Sequence, residues 1–163
     1  MPNLNPYAKF LDGRALETIL SSTSHEIANQ LQIMGPDKAT APPAPGKWSP
    51  AEIICHLADC EIAFGFRLRQ TLAEDNHTIQ PFDQEKWGSS YPGISAKDAL
   101  LAFTALRQWN LALIAKTPSS AMAKHVTHPE RGAMTFQTIV ETMAGHDLNH
   151  LAQLKRIAKP PSP

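Results

Sequence analysis

Cysteine is scarce, with only Cys55 and Cys60 in 163 residues. Five positions apart on one helix, they stand beyond disulfide reach. No covalent framework is expected, and a reducing, cytoplasmic setting fits. An excess of either charge is also lacking. Lys plus Arg and Asp plus Glu number 15 each, and without a basic stripe the chain does not read as a nucleic-acid binder. No apolar run approaches the roughly 18 residues of a membrane-spanning helix. The opening Met1-Pro2-Asn3-Leu4 has neither the charged nor the apolar region of a signal peptide. Internal repeats, low-complexity tracts and blocks of like charge are missing too. The length suits one domain, residues 1–163, around a single core.

What is present is helical. The first helical region runs from about Gly13 to Met34, with Asp12 placed to cap it and Gly35-Pro36 to stop it. Thr23 and Glu26 form a capping-box pattern that predicts a break near Ser22. The second helix is the best marked: Ser49 at the N-cap, Pro50 at N1 and Glu52 at N3, continuing to about Leu72. A third runs from Ser95 to about Lys116, and a fourth from Thr135 to the residues before Pro160-Pro161. Strand signals are absent beyond short ambiguous runs. The expectation is an all-α four-helix bundle with two long connections, the first carrying Phe82, Trp87 and Tyr91, the second His125 and His128. Connections of this length exceed those usual in bundles and fit lids or pocket walls.

The fourth helix holds the most informative residues. Its inward stripe reads Phe136, Ile139, Met143, His146, His150, Leu154 and Ile157. Two imidazoles at i, i+4 have Cβ atoms about 5–6 Å apart on one face. Buried without partners, each would cost roughly 1–3 kcal/mol, so they need hydrogen bonds or a cation. Catalytic zinc takes three protein ligands and keeps an open position. The tail after His150 holds no His, Cys, Asp or Glu, so a third ligand must come from upstream, and His56 on the second helix is the best candidate. The alternative is a set of hydrogen-bonded core histidines. Neutral imidazole suits zinc, nickel, iron and copper alike. His125 and His128 read as solvent-facing or pocket-rim residues, and His25 and His77 as surface residues.

Charge is expected in the core as well. Arg107 falls in the middle of the apolar face of the third helix, with Asn110 beside it, and a buried guanidinium needs an acid. Glu61 is the first choice and Asp147 the second. The string His146-Asp147-Leu148-Asn149-His150 looks like a zincin motif with Glu shortened to Asp, but the third ligand normally found downstream is missing. Cys60, one turn from His56, reads as a small core residue. Cys55, Ile62 and Phe66 form a second apolar stripe, which a loop or, in preference, a partner subunit would cover.

Pro45-Gly46-Lys47-Trp48-Ser49-Pro50-Ala51-Glu52, running into His56-Leu57-Ala58-Asp59-Cys60-Glu61, resembles the second-helix signature of the DinB-like (DinB/YfiT) superfamily. Ala144-Gly145-His146-Asp147-Leu148-Asn149-His150-Leu151 resembles its closing motif. The likeness continues through Phe82–Trp87 and His128–Gly132 and covers about residues 10 to 158. It implies a bundle with a nonstandard order of connections, often dimeric. It also implies a divalent metal held by three histidines, here His56, His146 and His150. Characterised relatives include bacillithiol-dependent S-transferases and a mycothiol-dependent maleylpyruvate isomerase. The expected function is therefore a metal-dependent enzyme for a small molecule, such as a low-molecular-weight-thiol S-transferase. The alternatives are a hydrolase at the same site and a non-catalytic metal- or ligand-binding dimeric module.

Overall fold

The computed structural model describes residues 4–159. Its long helices are α1 (Leu16–Thr40), α2 (Pro50–Ala73), α4 (Ala96–Lys116) and α5 (Phe136–Ala158), with a short α3 (Gln84–Gly88) between α2 and α4. A 3-10 turn, Ala8–Phe10, precedes α1, and a second, Ser119–Ala123, follows α4. A two-stranded antiparallel hairpin, β1 (His125–His128) with β2 (Gly132–Thr135), leads into α5.

Helix starts follow local chemistry. The Ser49 side chain accepts from the Glu52 N–H while the Glu52 carboxylate accepts from the Ser49 N–H at 2.7 Å. Ser95 and Thr135 cap α4 and α5 more simply, their side chains accepting from the Asp98 and Thr138 N–H groups. Ser49→Ala is expected to lower the unfolding free energy by about 1 kcal/mol; an unchanged urea midpoint would show the box to be dispensable.

Three expectations need correction. Asp12 does not cap α1: the N-cap is Ala15, and the Asp12 carboxylate accepts from Arg14 instead. The predicted break near Ser22 does not occur, because Thr23 turns inward and donates to the Asp147 carboxylate at 2.7 Å. Gly35 does leave helical geometry (φ 73°, ψ 169°), but Pro36 restarts the helix at once, so α1 is kinked rather than stopped. The hairpin was also not foreseen.

Around the bundle the order is α1, α4, α2, α5: α2 packs chiefly on α4 and α5, and α1 on α5 and α4. The consecutive long helices α1 and α2 are therefore diagonal, which is the nonstandard connectivity expected from the resemblance. Two apolar clusters fill the interior. One gathers Ile19, Leu20, Phe64, Leu68, Phe136 and Met143; the other gathers Ile27, Ile53, Leu57, Phe103, Leu151 and Leu154. A polar layer separates them, with one residue from each long helix: Thr23, Glu61, Arg107 and Asp147.

That layer is a hydrogen-bonded unit. Arg107 Nη2 donates to Glu61 Oε1 at 2.7 Å and to Asp147 Oδ1 at 3.0 Å, and Nη1 donates to the Leu20 carbonyl at 3.0 Å. Asn110 Nδ2 donates to Glu61 Oε2 at 3.0 Å. Burial pulls the Arg107 pKa down, but Asp147 and Glu61 outweigh it and hold the guanidinium charged. The sequence had ranked the two acids as alternatives, and Arg107 pairs with both.

Candidate metal centre

Three imidazoles meet where α2 faces α5. His56 comes from the second turn of α2, while His146 and His150 come from the middle of α5. His146 Nε2 lies 3.1 Å from His56 Nε2 and 3.1 Å from His150 Nε2. One donor atom from each ring falls within 4.8 Å of the others, and all three residues are buried.

Hydrogen bonding alone does not satisfy this arrangement. Each nitrogen pair needs one N–H and one lone pair, and His146 Nε2 would have to serve two neighbours with a single proton or lone pair. Three lone pairs aimed at one cation remove the conflict. At zinc–nitrogen distances of about 2.0–2.1 Å, ligand nitrogens stand about 3.3 Å apart in a tetrahedron and about 2.9 Å apart at right angles. The His146–His56 and His146–His150 separations, 3.1 Å each, lie between these values, and the third pair stands within 4.8 Å.

The surroundings fix the orientation of the rings. His150 Nδ1 is 3.0 Å from Gln153 Oε1; donation there fixes the tautomer whose Nε2 lone pair points inward. Trp48 packs against His56 with ring centroids 5.1 Å apart, and Tyr7 meets His146 edge-on at 5.0 Å. Gly145 permits the Tyr7 approach, since a Cβ there would stand 2.6 Å from the Tyr7 carbonyl oxygen. Burial lowers the His56 pKa to about 4, with His150 adding to the shift. Burial likewise holds His146 well below its ordinary value and lowers His150. All three are thus neutral at pH 7, the form that binds metal.

A pH dependence follows for the metal-free protein. Below about pH 6.5 the unfolded chain takes up protons at these histidines while the folded one does not. Stability is therefore lost as pH falls from the unfolded value toward about 4 for His56, by roughly 3 kcal/mol from that residue alone. Urea midpoints measured between pH 7.5 and 4 should fall steadily, and less steeply in His56→Gln. Parallel profiles for the two proteins would refute the assignment.

Cys60 borders the rings, its Sγ 3.5 Å from His56 Nε2. Burial pushes its thiol pKa up, with Glu61 and other charges contributing, so the sulfur stays protonated and packs as a core side chain, as expected. Asp147 is occupied by Arg107 and Thr23 and is not free to act as the acid of a zincin.

His56 and His146 open onto a cleft of about 190 Å³ whose walls include Tyr7, Phe64, Arg67, Phe82, His128 and Arg131. His128 was expected at the solvent or the pocket rim; it is 4% exposed and forms part of this wall. His25 and His125 are exposed as expected, whereas His77 is half-buried. Tyr7, Trp48, Gln153 and Arg131 escaped assignment from sequence. Gly145 was the available signal for Tyr7, because a glycine inside a helix costs about 1 kcal/mol and marks a close approach.

The sequence profile of the DinB superfamily matches residues 20–154. The chain belongs to the DinB superfamily. A relative of this DinB-superfamily chain from Oceanobacillus iheyensis, 27% identical over 115 residues, covers 70% of the chain and 67% of its own length, and is named a "putative metal-dependent hydrolase". A relative from Bacillus cereus with the same descriptive name is 23% identical over 136 residues, or 83% and 79% of the two chains. Among solved structures, YfiT from Bacillus subtilis superposes with a TM-score of 0.80 at 18% identity over 87% and 83% of the chains; it is described as "a probable metal-dependent hydrolase with an unusual four-helix bundle topology". That likeness carries the fold. Among the described residues, no helix is long and apolar enough to cross a membrane.

Proposed function

We propose that this DinB-superfamily protein is an enzyme acting on a small molecule with a divalent metal, zinc, nickel or iron, held by His56, His146 and His150. The observation that carries the reading is the convergence of three buried, neutral imidazoles on one point beside an open cleft. When bound there, the cation supplies a Lewis acid that polarises a substrate or activates a nucleophile. The protein's own residues do the rest: Gln153 orients His150, Trp48 and Tyr7 hold His56 and His146 from the sides, and the cleft limits the size of what enters.

The names borne by relatives favour hydrolysis. For that reaction Glu130, which lines the cleft, is the carboxylate available to manage protons. A second reading, thiol S-transfer, is favoured by the locking of Asp147 in the ion network: a thiolate nucleophile needs no general base once its proton is lost. A homodimer would cover the exposed Ile62 and Phe66 on α2, and a monomer at micromolar concentration in sedimentation would remove that element. The two buried free cysteines fit a reducing compartment such as the cytoplasm.

Mass spectrometry of untagged protein tests the metal, and about one equivalent per chain is expected. Metal-loaded protein is then assayed for ester and amide hydrolysis, and for conjugation of monochlorobimane to bacillithiol or glutathione. Failure to retain any divalent metal would sink both readings.

A further inference from the structure

The cleft beside the histidines carries positive charge that the protein leaves unneutralised. Arg67 follows His56 on α2 by eleven residues, or about 20° around the helix at 100° per residue, and so lies on the same face. Side chains tilt toward a helix N-terminus, which leans Arg67 toward His56. Its guanidinium lies over the rings of Phe82 at 5.7 Å and Phe64 at 6.0 Å, and donates to the Gln80 carbonyl at 3.3 Å. Arg131, from the turn between β1 and β2, lines the same cleft. Among the described residues, neither has a carboxylate within 4.0 Å.

Two guanidiniums held near one another oppose their own burial. Burial lowers the Arg67 pKa, and Arg131 lowers it further; the neighbouring His128 is lowered by burial and then by both arginines. Glu130 is the single acidic side chain in the lining. The cleft thus carries one surplus positive charge before any metal binds. Guanidinium, with its planar fork of N–H donors, matches a carboxylate or phosphate. Among the described residues only the Gln80 carbonyl accepts from the Arg67 guanidinium, which leaves most of its donors for a ligand.

We propose that the substrate is a small anion whose carboxylate or phosphate group is held by Arg67 and Arg131, leaving its reactive end toward His56 and His146. The inference rests on the metal-enzyme reading and specifies its substrate class. At about 190 Å³ the cleft is smaller than the 300–1,000 Å³ usual for drug-sized ligands, so the anion is compact. The alternative role for Arg67 is to brace the Gln80–Phe82 segment by stacking, and that role has no preference for charge.

The test compares 3-mercaptopropionate with its uncharged amide, 3-mercaptopropionamide, by calorimetry on cobalt-loaded and on metal-free protein. The acid is expected to bind about tenfold more tightly. Arg67→Met should abolish the preference and Arg131→Gln should reduce it; Arg131→Gln lies in a hairpin turn and gives a folded control if Arg67→Met fails to fold. Equal binding of acid and amide to the wild type, or a preference intact in the folded variants, overturns the proposal. Failure to take up metal would instead sink the metal-enzyme reading, while the comparison on metal-free protein still decides the anion preference.

Discussion

Alanine at His146 will leave a folded protein that no longer retains a divalent cation. His146 Nε2 is the nitrogen that touches both other rings, at 3.1 Å each, so its loss opens the triangle at the shared corner. Weakening a residue that only orients a ligand typically costs 10–100-fold in metal affinity; removing a ligand itself is expected to cost more, at least about 100-fold. Metal content of untagged protein should fall from about one equivalent to a small residue, with helical circular dichroism unchanged. Gln153→Ala should sit between, weakening affinity about 10–100-fold through loss of the His150 contact. Wild-type metal content in His146→Ala would show that the cluster is a hydrogen-bonded piece of core.

The second large effect belongs to Arg107. Its guanidinium is 2% exposed and is shared between the Glu61 and Asp147 carboxylates, which are equally buried. Arg107→Met keeps the volume but strands two acids in the interior, and breaking a buried pair by removing one partner costs about 3–5 kcal/mol. In a chain of this length each kcal/mol moves the melting temperature by about 2–4 °C, so a fall of roughly 10 °C is expected in a thermal scan. The double change Arg107→Met with Glu61→Leu should recover part of that loss, because one stranded charge goes with its partner. A wild-type melting temperature in Arg107→Met would mean that the polar layer is incidental to stability.

His146, His150 and Arg107 were legible in sequence for one reason: each interrupts an otherwise apolar helical stripe, and helical periodicity reports which face is buried. Periodicity does not say which residues on different helices meet. Glu61 and Asp147 therefore stood as alternatives for Arg107, although the structure uses both. His56 sits only at the margin of its stripe, so elimination and resemblance had to add to the weak periodic signal. The hairpin was lost because His125–His128 and Gly132–Thr135 are each only four residues long; the β1–β2 pairing that defines them is not a property of either segment. Gly35-Pro36 misled for a related reason. Gly35 does break the helical geometry, but Pro36, favoured at a helix start, begins the next turn immediately. Tyr7 lies before the first helix, where no periodic pattern assigns a partner.

His56 and His146 are 90 residues apart in the chain. A cation gripping both would act as a removable staple between α2 and α5. By the chain-entropy estimate, a permanent cross-link over a loop of that size restricts the unfolded chain by about 4–5 kcal/mol. On the proposed reading, withdrawal of metal would therefore expose the protein to proteases, and supply of the ion would govern its lifetime.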